Sequence, residues 1–164
     1  VLELGWMEMA WGIGMLAGGL ILSVWGGFKR KIFTILMGLT VAGISFTVLG
    51  LTPASAFGLA LASVFMAGLL NPFVNGPFMA IVQSAVPPEL QGRVFTVLGS
   101  VVGLASPIGM AISGPVADRF GVQLWFVIGG TLSILMGVGC VAVPAVLHLE
   151  DGRPEAGTHN VLET

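Results

Sequence analysis

The sequence predicts an all-α membrane protein of about five transmembrane helices, and three observations lead there. Of 164 residues, 55% are hydrophobic and 9% charged, with a mean hydropathy of +1.01. A soluble domain carries about 25% charged residues, so too few charges are present to solvate a globular surface. The apolar residues form long segments, near the ~20 residues that cross a bilayer core. Polar residues gather between those segments, most densely in Val24-Trp25-Gly26-Gly27-Phe28-Lys29-Arg30-Lys31, which holds three of the six Lys and Arg residues. The lipid bilayer is therefore the first expected partner. The net charge of −2 argues against nucleic acid. The single cysteine, Cys140, lies in an apolar run and offers neither a disulfide nor a thiolate metal site.

The spans follow in order. The first covers about residues 4–24, interrupted only by Glu8, and the loop with Lys29, Arg30 and Lys31 follows. The second covers about 32–51 and ends at a tight turn, Thr52-Pro53-Ala54-Ser55. The third, about 56–82, contains Asn71, Pro72, Asn75, Gly76 and Pro77 and is expected to be kinked or broken. A second polar loop spans residues 86–93, a fourth helix about 94–112, a third polar loop 114–122, and a fifth helix about 123–147. Residues 1–149 thus form the transmembrane domain, and the polar segment 150–164 is expected to be a disordered tail. The start, without Met or a basic leader, reads as the interior of a longer chain.

Five spans place alternate loops on opposite sides. One side holds Lys29, Arg30, Lys31, Arg93 and Arg153; the other holds only Arg119. Positively charged loops stay in the cytoplasm. The first side, with the C-terminal tail, is expected there.

With the residues in view, a resemblance emerges. Gly19-Leu20-Ile21-Leu22-Ser23-Val24-Trp25-Gly26-Gly27-Phe28-Lys29-Arg30-Lys31 resembles the cytoplasmic signature of the major facilitator superfamily, with Ser23 where that signature has Asp and Val24 where it has its first basic residue. Gly114-Pro115-Val116-Ala117-Asp118-Arg119-Phe120-Gly121 matches the signature's core better, but lies three spans away, so both cannot be cytoplasmic. It reads as a helix-ending turn on the outer side in which Asp118 and Arg119 pair locally. The loop Val86-Pro87-Pro88-Glu89-Leu90-Gln91-Gly92-Arg93-Val94-Phe95, with Asn71-Pro72-Phe73-Val74-Asn75-Gly76-Pro77 and Gln83 before it, is similar to the macrolide-efflux-like exporters of that superfamily, relatives of siderophore exporters. The resemblance implies helices eight to twelve of a twelve-helix fold, in a bacterial inner membrane. The amino-terminal half of the same transporter is then the missing partner, and the function a proton-driven export of small amphipathic molecules or drugs.

Residues polar at membrane depth are the natural site candidates, because hydrocarbon offers them no partner. Glu8 is the only carboxylate well inside a span. A carboxylate surrounded by hydrocarbon holds its proton more readily than one in water, the property a proton-coupling group needs; at headgroup level it would simply stay ionised. Asn71 and Asn75 are four apart on one helix face, and Pro72 and Pro77 leave carbonyls unclaimed. Together with Gln83 they are the substrate-cavity candidates; interhelical polar contact is the other reading of the Asn pair. Lys29, Arg30, Lys31 and Arg93 set topology, and Arg93 is also a candidate cytoplasmic latch. Gly14 with Gly18, Gly99 with Gly103 and Gly109 with Ser113 are small pairs at a spacing that lets helices approach. Met7, Met9 and Met15 with Trp6, Trp11 and Trp25 read as interface anchors or an adaptable apolar wall.

No arrangement of nucleophile, base or metal ligands suggests an enzyme, a metal or a cofactor. Transmembrane transport is the leading expectation. A small membrane subunit with a structural role, or an importer of polar solutes, are the alternatives.

Overall fold

The computed structural model describes residues 2–28, 30–53 and 55–141. Five helices follow one another: α1 (Leu2–Trp25), α2 (Lys31–Leu51), α3 (Phe57–Ala85), α4 (Pro88–Phe120) and α5 (Val122–Val141). Each is long and apolar enough to cross a membrane, and no strand occurs among the described residues. Large apolar side chains stay uncovered: Leu16 and Met110 are each 72% exposed and Leu104 69%. Surface of that kind is stable in hydrocarbon and not in water. The chain is an integral membrane protein.

Where the helices do meet, glycine permits it. Gly14 and Gly18 of α1 are buried against the α3 backbone at Phe65 and Leu69, and Gly68 of α3 lies against Trp11 in return. Leu22 reaches Gly76 further along, so these contacts advance together and α1 and α3 run parallel. Between α2 and α5 the order reverses. Gly50 meets Gln123 and Val127, Gly43 meets Gly130, and Gly137 meets Leu36 and Thr40, which makes this pair antiparallel. Gly38 brings α2 against Phe73 and Val74 of α3. The principal contacts therefore run α1 to α3, α3 to α2, α2 to α5, and α5 to α4.

Hydroxyls inside this packing turn back onto their own helices. Thr40, Ser45, Thr47, Thr52 and Ser63 donate to the carbonyls of Leu36, Val41, Gly43, Val48 and Leu59, at 2.7–3.0 Å. Such bonds satisfy a polar group without help from a neighbour. No buried side-chain nitrogen or oxygen among the described residues is left without a partner.

Several expectations change here. α3 is one helix through Pro72 and Pro77, not broken at either. The two prolines remove only the donors that would reach the Gly68 and Phe73 carbonyls, whereas breaking the helix in lipid would expose many more backbone groups. The polar segments 86–93 and 114–122 are mostly helical too, because α4 runs unbroken for 33 residues. Pro88 takes its first position, where a missing N–H costs nothing. At ~1.5 Å per residue α4 measures about 50 Å, longer than the ~30 Å hydrocarbon core, so polar residues at its ends can be helical and still reach water. Gly121 at φ +82° closes it, its N–H donating to Ala117 at 2.8 Å. Gly99, Gly103 and Gly109 have open space where a side chain would go, so these positions join no helices here. The fifth helix is described to Val141; the expected stretch to 147 and the tail 150–164 lie outside the described residues.

A side chain at Gly18 would collide with the Leu69 backbone, whereas at Gly103 it would meet nothing. Gly18→Val is expected to lower stability by about 1–3 kcal/mol, the usual cost of overpacking, and Gly103→Val to change it little. Thermal unfolding in nanodiscs measures both; equal effects would contradict this packing.

Candidate functional site

The Asn pair is real in space. Asn75 Nδ2 donates to both Asn71 Oδ1 and the Asn71 carbonyl, each at 3.2 Å. Helical spacing of four puts them one above the other. Asn71 is half-buried and Asn75 exposed, while Phe73 and Pro77 face the protein core. The pair thus presents a polar spot on an otherwise apolar helix, with Asn75 Oδ1 and the Asn71 amide group still able to bond a ligand or another helix. Gln83 does not join them. It sits near the end of α3, where its backbone carbonyl accepts from Gln91 Nε2 at 3.0 Å, and the same amide reaches the Val86 carbonyl at 3.1 Å. Gln91 therefore ties the start of α4 to the end of α3. No sequence signal beyond its place three residues past a Pro-Pro pair marked it.

The loop between α1 and α2 is a built turn. Gly26 and Gly27 adopt φ of +74° and +76°, which side chains resist. The Phe28 N–H donates to Thr34 Oγ1 at 3.0 Å, and Thr34 is only 1% exposed. Trp25 packs edge-on against Phe28 at 4.9 Å and tilts toward Phe73 at 6.2 Å. Thr34 and this aromatic cluster hold the turn that carries the cations to the membrane surface. Arg30 caps α2 and Lys31 begins it, both exposed; Lys29 lies outside the described residues. Arg93 is exposed near the start of α4.

Asp118 and Arg119 are exposed near the end of α4, and no ion pair joins them. Consecutive helical residues project about 100° apart, so adjacency in sequence works against the expected contact.

Glu8 lies at the opposite end of the bundle from the cationic turn. There α1, α2, α3 and α5 surround a cleft of about 620 Å³, lined by Glu3, Glu8, Trp11, Phe46, Phe57 and Phe126 among others. Phe46 stacks on Phe126 at 6.2 Å and Trp11 tilts toward Phe46 at 6.4 Å. Trp11 is thus half-buried inside the bundle, where it fits the apolar-wall reading and not that of an interface anchor; Trp6 and Trp25 are exposed. The sequence reading missed Phe46, Phe57, Phe126 and Gln123. The available signal was helix order: each falls within about two turns of a helix end at the same end of the bundle.

Comparison with known proteins agrees with this architecture. The profile of the Major Facilitator Superfamily matches residues 1–161. The chain is 38% identical over 143 residues to Macrolide efflux protein A of Streptococcus pyogenes, covering 87% of this chain and 35% of that protein. It is 39% identical over 103 residues to Macrolide efflux protein A of Enterococcus faecalis, covering 63% and 32%. It is 32% identical over 150 residues to the multidrug efflux pump Tap of Mycolicibacterium fortuitum, covering 90% and 36%. The chain therefore spans about a third of the length of these relatives. No solved structure matches it with significance.

Gln91→Ala removes both bonds across the α3–α4 turn. At about 1 kcal/mol net for such bonds, the Val86 and Leu90 amides are expected to exchange hydrogen several-fold to about tenfold faster, read by mass spectrometry. Unchanged exchange would remove Gln91 as the tie.

Proposed function

The chain belongs to the major facilitator superfamily, and from that premise we propose that it forms helices eight to twelve of a secondary active exporter of amphipathic small molecules. The observation that carries the reading is its similarity, across most of its length, to two proteins named for macrolide efflux and one for multidrug efflux. Superfamily transporters pair two helical halves around a site near the membrane midplane. The bundle suits such a role: α4 has no buried residue, so one side is open to further helices. Those further helices would belong to the amino-terminal half of the same transporter.

In this reading the polar spot of Asn71 and Asn75 lines the substrate path, with Pro72 and Pro77 leaving carbonyls free for exchange of hydrogen bonds during movement. Gln83 lies farther along α3 and bounds the path toward the cationic side. Glu8 is the proton-coupling group, supported by its place in an aromatic-walled cleft among apolar helices. The membrane is the bacterial inner membrane, as the bacterial relatives suggest. The turn with Lys29, Arg30 and Lys31, the Arg93 end of α4 and the C-terminus face the cytoplasm by the positive-inside bias. Arg93 is then available to anionic lipid headgroups or to a latch between halves.

Everted inner-membrane vesicles from cells producing the protein test this. A pH gradient is expected to drive accumulation of a macrolide or cationic dye, and a protonophore to abolish it. Glu8→Gln is expected to abolish gradient-driven accumulation, and Asn71→Ala to reduce it several-fold. Wild-type accumulation indifferent to the gradient would refute proton coupling, and accumulation equal to vesicles without the protein would refute transport.

A further inference from the structure

We propose that the groove between α2 and α5 beside the cationic turn binds one anionic phospholipid, its acyl chain against the groove wall and its phosphate on Arg30 and Lys31. The groove holds about 660 Å³, and Phe28, Phe33, Leu36, Met37, Val41 and Val138 line it. No charged side chain lines it, and its one hydroxyl, Thr40, is engaged with the Leu36 carbonyl at 2.8 Å. A polar ligand would find nothing to bond inside, whereas a hydrocarbon chain needs no partner. From Phe33 to Val41 the helix rises about 12 Å at ~1.5 Å per residue. That depth fits within half of the ~30 Å hydrocarbon core. The groove therefore belongs to one leaflet, as the acyl chain of a single lipid does.

The mouth of the groove is cationic. Phe28, fixed by its N–H bond to Thr34 Oγ1 at 3.0 Å, lines the groove on one side of Arg30 and Lys31, and Phe33 lines it on the other. Both cations are exposed. Arg carries five donors and Lys three, so each can bond phosphate oxygens whatever else it touches. α2 has no acidic residue in its first turn, and its positive dipole end adds to the two charges. Glu89, the one acid at this end of the bundle among the described residues, lies in the first turn of α4 and does not line the groove. A headgroup with net negative charge matches this end; a zwitterionic one gains less, because its ammonium is repelled.

A further helix fits the groove poorly. The close seams of this fold, α1 with α3 and α2 with α5, form where a glycine lets backbones approach. The one glycine of the groove, Gly137, already meets Thr40 and Leu36 of α2, and the rest of the wall is bulky. Adaptable side chains such as Met37 suit a flexible acyl chain better than a helix backbone. Lipid binding here is independent of export: either can fail and leave the other standing.

Photolabelling of the full chain in nanodiscs is the test, using phosphatidylglycerol with a diazirine in one acyl chain and peptide mapping by mass spectrometry. Label is expected on residues 33–41 and on Val138. Unlabelled phosphatidylglycerol is expected to displace it about fivefold more effectively than phosphatidylethanolamine of the same acyl chains, a comparison that needs no variant. Replacing both Arg30 and Lys31 by Gln is expected to abolish that preference. Arg93→Gln, at the same end of the bundle but outside the groove, is expected to change it little. Equal displacement by the two lipids would overturn the proposal. So would a comparable loss in both variants, which would mean attraction to the whole charged surface. Absence of label from residues 33–41 would mean that protein, and not lipid, covers the groove, and would overturn it as well.

Discussion

Hydrocarbon offers a polar group nothing to bond, and that constraint shapes each of the five described helices. Backbone groups must be satisfied within each helix, so α3 continues through two prolines and α4 through two more. Hydroxyls fold back onto carbonyls one turn away. The hydrophobic effect cannot drive apolar helices together when lipid is equally apolar, so association depends on how closely backbones approach. Gly14, Gly18 and Gly68 supply that closeness for α1 and α3, and Gly43, Gly50, Gly130 and Gly137 for α2 and α5.

The proposed function rests on where the chain departs from that economy, since polar groups within apolar helices are expensive. The Asn71–Asn75 pair is partly self-satisfied and remains able to bond outward. Glu8 and Glu3 are exposed at the mouth of a cleft beside stacked aromatic rings. The cationic turn is different in kind: Thr34, Trp25 and Phe28 make it a fixed structure at the membrane surface, suited to orienting the chain.

Much of this was legible in the sequence. The five helices followed from apolar segment length alone, and Gly14 with Gly18 marked a real seam because a spacing of four repeats one helix face. The α2–α5 seam escaped the same search because its glycines recur at seven, as Gly43 with Gly50 and Gly130 with Gly137, which is two full turns. The same spacing rule misled in α4, where Gly99 and Gly103 share a face that no described helix covers. Segment 114–122 looked like a loop because Gly, Pro and charges usually end helices; an end already clear of the bilayer tolerates them. The cleft was invisible because it is tertiary: four helix ends contribute its aromatic wall, and no periodicity along the chain connects Trp11 to Phe126.

As proposed above, these helices are part of a fold that exchanges an amphipathic small molecule for protons. Proteoliposomes holding the protein and a trapped pH-sensitive dye test it directly, with ethidium as substrate because its permanent charge prevents it from carrying protons itself. Addition of ethidium on one side, with no imposed gradient, should move protons in the opposite direction in step with its uptake. Uptake with no proton movement would contradict the account.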